Sequence, residues 1–491
     1  MERKRPNIIL MYADDLGYGD LGCYGAEDVK TPNVDEIAKN GIRFTDAYST
    51  SPICTPARYS LLTGFYPSRR EGVEILTGDA KSLIDENIYT LPRMLRENGY
   101  HTGIVGKWHL GLSDGTEPID WNKAVYHTPL DVGFDECFIF PATADRVPCV
   151  YFDGRNVVNL NKDNPIEVCY CDENPYPQCP TGRDNPELLK LKATHGHDNA
   201  IVNGVGRIGF MRGGEQALWK DEDLAEDFLL RAKKFINDNR DEPFFLYYAL
   251  HQPHVPRLPS KRFEGVTKLG ARGDAIAEMD WCVGEIMDEL EKNKLLDDTI
   301  IIFSSDNGPV LDDGYDDHAY DLTGEHRPAG PLRGGKYSRF EGGIRIPFIV
   351  SYRGKTKPCV SHAMISQVDL LASFASMLNA EIPDSDSRDM FKALMGEDGF
   401  GRDEVYAESP SGSRILRQGK WLYIEPDDGS AFWTATHTET GSSRDRQLYN
   451  LDHDIGQVRN VAYCYAQIAQ RMQHRLEEIE QKKYKFKLKE E

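Results

Sequence analysis

The 491-residue sequence has no apolar stretch approaching the roughly 20 residues that cross a bilayer. Its most apolar runs, such as "NIILMY" and "TIIIF", are far too short. The start, "MERKRPNIILMYADD", passes from a few basic residues straight into a strand-like segment, without the apolar region and cleavage site of a signal peptide. A chain beginning this way is expected to be cytoplasmic, or periplasmic or secreted where an export signal has been removed. Positive charge is also scarce: 58 Lys and Arg face 79 Asp and Glu, for a net charge of −21. That balance excludes nucleic acid as a partner and any long basic track. An anionic substrate therefore has to meet positive charge gathered locally. The ten cysteines include no C-x-x-C pair, which argues against zinc. Cys169, Cys171 and Cys179 sit close together in "CYCDENPYPQC", where a disulfide corner, a soft-metal site and free thiols all stay open.

What is present describes a globular protein, with 40% hydrophobic and 28% charged residues. At this length one core does not suffice, so two or three domains are expected. Four apolar runs end abruptly in residues capable of chemistry. "NIILMYA" runs into Asp14 and Asp15, "HTGIVG" into Lys107 and His109, "PFFLYYAL" into His251, and "TIIIFSS" into Asp306 and Asn307. Continuous runs of this kind read as parallel strands buried on both faces. Helical patterns lie between them: Ile276, Met279, Val283, Ile286 and Leu290 mark one apolar face, and "TLPRMLRENG" is a shorter helix ending at Gly99. The alternation implies a doubly wound α/β sheet, which binds ligands outside the carboxyl ends of its strands. All four polar clusters fall there.

Two regions break the rhythm. Residues 141–214 or so are rich in Asn, Pro, Asp and Gly and read as a long insertion near the site mouth. Beyond about Asp384, "EVYAES", "SRILRQG" and "KWLYIEP" read as a small antiparallel sheet. A terminal helix follows in "AYCYAQIAQRMQHRLEEIEQKK", with a charged end expected to fray. The expected division is 1–383 for the domain carrying the site and 384–491 for a C-terminal α+β subdomain.

Asp14, Asp15, Asp306 and Asn307 offer only oxygen, the donor set of a hard cation such as calcium or magnesium. Lys107 and His109, two apart, are read as sharing a strand and a direction. Lys336 lies among the glycines of "PLRGGKYSRFEGG", which let backbone and ligand approach closely. With Arg58 and His251 these groups describe a pocket for a small tetrahedral dianion. The stretch "SPICTPARYSLLTG" adds a thiol. There Thr55 suits an N-cap, Pro56 a first helical position and Gly64 a helix end. Cys54 is then expected just outside a helix N-terminus, where free N–H groups lower a thiol's pKa or hold an oxyanion.

In these blocks the chain resembles the type I, formylglycine-dependent sulfatases of the alkaline phosphatase superfamily. "CTPARYSLLTG" fits their signature C-x-P-x-R followed by L-T-G, and "GYHTGIVGKWHLG" fits the second signature. "NIILMYADDLGYGDLG", "HQPH", "SDNG" and "GGKYSRFEGGIRIP" fit the remaining site blocks in order. The late "LYNLDHDIGQVRNVA" is similar to the family's C-terminal subdomain. The resemblance implies an alkaline phosphatase-like large mixed sheet flanked by helices, with a smaller C-terminal antiparallel sheet and helix.

It also implies that Cys54 is oxidised to formylglycine by a formylglycine-generating or anaerobic sulfatase-maturating enzyme, which reads Pro56 and Arg58. Arg58 then stays to hold the modified side chain. One cation, calcium or else magnesium, is implied on Asp14, Asp15, Asp306, Asn307 and the residue-54 oxygen. The aldehyde hydrates to a geminal diol, and one hydroxyl, activated by the cation and Asp306, attacks sulfur. Lys107 and Lys336 balance the sulfate charge. His251, with Lys336, protonates the departing alcohol, and His109 takes the proton of the second hydroxyl as sulfate is expelled.

His254 reads as a structural or rim residue. Arg146 and His197, in the insertion, are expected to touch substrate together with Lys107, His251 and Lys336. The long polar insertion favours a sulfated carbohydrate over a small aryl or steroid ester. Similarity to arylsulfatase A-like and galactosamine sulfatase-like members favours galactose or N-acetylgalactosamine sulfate in a host or algal glycan. The alternatives are a formylglycine-dependent phosphonate or phosphate ester hydrolase and an inactive sugar-binding relative. The latter should have lost a site residue, and none is missing.

Overall fold

Alternating apolar runs and helices build a ten-stranded mixed sheet in the computed structural model, which describes residues 5–482. Its parallel centre is made, in spatial order, of Thr299–Ser305, Asn7–Ala13, Phe244–Ala249, His101–Lys107 and Glu136–Phe140. Every residue of the first three is buried, so both faces of the sheet are covered. The sheet is mixed, as expected, because its edges add antiparallel strands. Phe348–Tyr352 enters antiparallel beside Thr299–Ser305, and Phe152–Asp153 pairs antiparallel with Glu136–Phe140.

Register decides where the polar run-ends arrive. Ala13 lies opposite Ser305, Tyr12 opposite Ala249, and Ala249 opposite Gly106. The next residues of each strand therefore emerge at one edge, and Asp14 N–H donates to Gln252 O at 3.0 Å, tying the His251 turn to it. Gly106 makes this alignment possible. Its φ is +115°, and a Cβ there would sit 2.0 Å from Ala249 O.

The helix Gly270–Lys292 buries Ile276, Met279, Val283, Ile286 and Leu290, as its periodicity predicts. The C-terminal region forms a four-stranded antiparallel sheet from Glu404–Glu408, Arg414–Gln418, Trp421–Ile424 and Gln447–Asn450. One face packs Leu416, Tyr423 and Leu448 against Met472 and Leu476 of the helix Ala466–Gln481. The other packs Ile415, Leu422 and Ile424 against Phe340 and Ile344, just beyond Lys336. The expected fraying of the final charged segment lies outside the described residues. The insertion holds two short ladders, Glu167–Cys169 with Phe210–Arg212 and Ile201–Val202 with Val205–Gly206. Of its four cysteines, Cys169 and Cys171 form a disulfide, and Cys149 and Cys179 are free. Among the described residues no helix is long and apolar enough to cross a membrane.

A buried ion pair fixes the loop after the first strand. Asp20 accepts Gly17 N–H at 2.7 Å, receives Arg272 Nη1 and Nη2 at 2.8 and 2.5 Å, and faces His326 Nε2 at 2.8 Å. Removing one partner of such a pair leaves the other charged and buried. Asp20→Ala is expected to destabilise the fold by about 3–5 kcal/mol in urea unfolding, and adding Arg272→Met to restore most of that. An unchanged midpoint for Asp20→Ala would show that the pair does not hold this loop.

Candidate active site

The helix Cys54–Thr63 lies wholly inside the protein, which is unusual for a segment carrying Arg58. It starts at Cys54, with Ile53 in extended backbone before it. Thr55, expected as the cap, donates its hydroxyl to His109 O at 3.0 Å instead. Gly64 ends the helix in the left-handed conformation, as expected. The expectation of a lowered thiol pKa is overturned. Burial pushes Cys54 up to about 12; Lys107 and Lys336 oppose this, and Asp14 and Asp306 add to it. Desolvation outweighs the helix terminus.

Around this thiol the strand ends bring acids and bases into direct contact. Lys107 Nζ lies 2.6 Å from Asp14 Oδ2. Lys336 Nζ lies 2.8 Å from Asp15 Oδ2 and 2.7 Å from Asp313 Oδ2. Arg58 gives Nε and Nη2 to Asp306 Oδ2 at 3.1 and 2.9 Å, and Nη1 to Tyr247 Oη at 3.1 Å. Asp306 Oδ1 accepts Asp15 N–H at 3.2 Å, and Asn307 Nδ2 donates to Asp15 Oδ1 at 2.8 Å. The four residues expected to hold a cation are thus together.

The donor chemistry there fits a hard cation. Asp14 Oδ1 and Asn307 Oδ1 are buried acceptors without a hydrogen-bond partner. Burial holds Asp14 well above the usual carboxylate range; Lys107 and Arg58 oppose this, and Asp306 and Asp15 add to it. Ligand atoms of Asp14, Asp15, Cys54 and His254 also lie within 4.8 Å of one another. Oxygens left bare amid mutually repelling carboxylates are what a divalent ion satisfies.

One histidine departs from expectation, and another takes the structural reading rather than the rim one. His254 is no rim residue: it is buried, with Nε2 3.7 Å from Asp15 Oδ2 and Nδ1 on Val255 O at 2.7 Å. The turn that closes with His254 N–H on His251 O (3.0 Å) carries both rings inward, and the second His of "HQPH" was its signal. His109 does not share a strand with Lys107. The strand ends at Lys107, and His109 takes a φ of +55° and sets Nε2 3.1 Å from Leu76 O. Its Nδ1 is left without a partner, as is Nδ1 of buried His251. Burial brings His251 down to about 4, with Asp221 opposing and Lys107 assisting.

In the insertion, Arg146 and His197 meet on one carboxylate. Arg146 Nη1 lies 2.7 Å from Asp145 Oδ2, and His197 Nε2 lies 3.0 Å from the same oxygen. Burial raises Asp145, but Arg146 and then the two histidines, 197 and 254, hold it well below the usual range. The charge of Arg146 also acts on Cys54 and His109. Asp313 escaped the sequence reading. It is one of four aspartates in "DDGYDD", and nothing in that run marks the one that holds Lys336 and, at 3.0 Å, Tyr337 Oη.

The family model described as Sulfatase matches residues 6–380. The chain belongs to the sulfatase family. The sulfatase is 46% identical over 481 residues to an N-acetylgalactosamine-6-O-sulfatase of Bacteroides thetaiotaomicron, covering 97% of this chain and 93% of that protein. It is 31% identical over 475 residues to human arylsulfatase A, covering 93% and 83% respectively. A solved Bacteroides thetaiotaomicron sulfatase structure, from work on the metabolism of multiple glycosaminoglycans, matches with a TM-score of 0.96 at 45% identity. That match covers 98% of this chain and all of the other. The protein is a sulfuric ester hydrolase, and its family implies a metal and a formylglycine.

Proposed function

We propose that this sulfatase removes the 6-O-sulfate of N-acetylgalactosamine in a glycan, after oxidation of Cys54 to formylglycine. The observation that carries the reading is 46% identity, sustained over 481 residues, to a relative named for that activity. Asp14, Asp15, Asp306, Asn307 and the residue-54 oxygen would hold calcium, with magnesium the alternative. The bound cation supplies Lewis-acid polarisation of a sulfate oxygen. Lys107 and Lys336 neutralise the remaining sulfate charge, each already held in place by a carboxylate. Arg58 orients Asp306 and holds the modified side chain. A maturating enzyme has to reach Cys54 before folding, because the folded chain leaves this residue only 2% exposed.

His251 is the donor to the leaving alcohol, with Lys336 beside it. At about 4 its ring is neutral in the empty site at pH 7. A sulfate ester beside it raises its proton affinity and so favours the charged acid form. His109, with a bare Nδ1, takes the proton that accompanies sulfate release. Arg146, His197 and Asp145 form the wall that meets the sugar. The site-bearing part of the chain, 1–383, is completed by the C-terminal part, 384–491, which packs behind the Lys336 loop.

A panel of defined sugars tests the substrate. Sulfate release is expected from N-acetylgalactosamine 6-sulfate, well ahead of the 4-sulfate, of N-acetylglucosamine 6-sulfate and of an aryl phosphate diester. Faster turnover of either other sugar would move the specificity, and faster turnover of the diester would favour the phosphate ester alternative.

The proton donor has its own test. His251→Ala is expected to lower kcat on the sugar sulfate by about 10²–10⁴-fold. The loss should be much smaller on an aryl sulfate, whose phenolate departs unaided. Equal losses on both substrates would take His251 out of that role.

A further inference from the structure

For side chains of the insertion to meet what the strand ends hold, the insertion has to be tied to them, and one phenol makes such a tie. Glu167–Cys169 pairs with Phe210–Arg212, with Cys169 opposite Phe210. Tyr170 is the first residue beyond that ladder. Its hydroxyl accepts Gly78 N–H at 2.9 Å and donates to Val147 O. Gly78 and Val147 are both buried. The two segments meet so closely that a Cβ at Gly78 would sit 1.9 Å from Val147 O. A Cβ at Gly209 would sit 3.0 Å from the Tyr170 ring, so the ring is seated as firmly as its hydroxyl.

Both ends of this tie lead to the site. Two residues before Gly78, Leu76 O faces His109 Nε2 at 3.1 Å. His109 is also fixed by its own backbone, with N–H on Pro141 O at 3.1 Å and O accepting the Thr55 hydroxyl at 3.0 Å. That end is anchored. At the other end Val147 directly follows Arg146, whose guanidinium partners, Thr143 and Asp145, lie in the insertion themselves. Tyr170 therefore links the arginine's segment to the anchored loop. Its own backbone is confined in turn. The disulfide between Cys169 and Cys171 closes a small covalent ring around Tyr170, which removes conformers that would swing the phenol away. Cys171 is exposed, so the bond is open to attack by a thiolate.

We propose that Tyr170 is a positioning residue, which holds the Arg146 segment against the His109 loop, and that the Cys169–Cys171 disulfide is a redox-sensitive lock on it. In the unlocking step a thiolate of a dithiol attacks one sulfur of the bond, and the second thiol of that reagent then displaces the mixed disulfide. The dithiol leaves as a cyclic disulfide. Two electrons and two protons pass to the protein, and both cysteines end as thiols. The consequence for substrate rests on the reading of Arg146 as a sugar contact; the tether does not.

The test compares wild type with Tyr170→Phe, with the double variant Cys169→Ser, Cys171→Ser, and with Arg146→Ala. Amide hydrogen exchange over residues 143–149 reads the tether without substrate. It should quicken in Tyr170→Phe, in the double serine variant and in wild type treated with a dithiol. The dithiol should add nothing in the serine variant. In the same three states KM for N-acetylgalactosamine 6-sulfate should rise about 2–10-fold, the worth of one hydrogen bond, with kcat and the turnover of an aryl sulfate little changed. Adding Tyr170→Phe to Arg146→Ala should raise KM no further. Unchanged exchange in Tyr170→Phe or in reduced wild type overturns the tether. A KM that Arg146→Ala raises and Tyr170→Phe does not, or a Tyr170→Phe effect that adds in full to it, overturns the positioning role. Faster exchange with a KM indifferent to Arg146→Ala upholds the tether and removes Arg146 from the sugar instead.

Discussion

Three carboxylates, Asp14, Asp15 and Asp306, are forced together inside the protein by the register of its two central strands, and the rest of the site answers that constraint. Ala13 pairs with Ser305, so the next residue of each strand is an aspartate entering the same buried space. Like charges about 4 Å apart repel by about 4 kcal/mol even at an effective dielectric constant of 20. Lys107 lies against Asp14, Lys336 against Asp15, and Arg58 against Asp306 and, at 3.6 Å, Asp14. The compensation is incomplete. Asp14 stays well above the usual carboxylate range, and two acceptor oxygens have no donor. A folded chain tolerates such a deficit where a cation makes it good.

Burial then decides the behaviour of the thiol and the central histidines. It overrides the helix terminus at Cys54, and it pushes down the proton affinity of His109, His251 and His254. In its resting form the site is therefore poor in mobile protons and rich in fixed cations. An arriving sulfate ester changes that balance, because its negative charge favours the protonated form of any histidine it touches. With His251 in the proposed donor role, substrate binding would also favour the supply of the proton.

Much of this was readable in the amino-acid sequence because apolar runs ending in Asp, Lys and His say both that a strand is buried and where it stops. The strand ends, the buried face of Gly270–Lys292 and the C-terminal antiparallel sheet follow from periodicity alone. The antiparallel entry of Phe348–Tyr352 does not, since a buried strand looks the same in either direction. His109 was misplaced because a turn, not a strand, aims it, and a turn's direction depends on contacts distant in sequence. Asp313 was hidden among identical neighbours, and the thiol was misjudged because a local helix argument carries no information about burial.

The most direct measurement is the thermal unfolding of metal-stripped protein as calcium is added back. An ion that binds only the folded site raises its stability by RT ln(1 + [L]/Kd), about 2.7 kcal/mol at a hundredfold excess over Kd. The melting temperature of the wild-type sulfatase should climb steadily with calcium, and that of an Asp14→Asn, Asn307→Ala variant should stay flat. A wild-type melting temperature indifferent to calcium, or an equal rise in the variant, would contradict the claim that these bare oxygens are built for a cation.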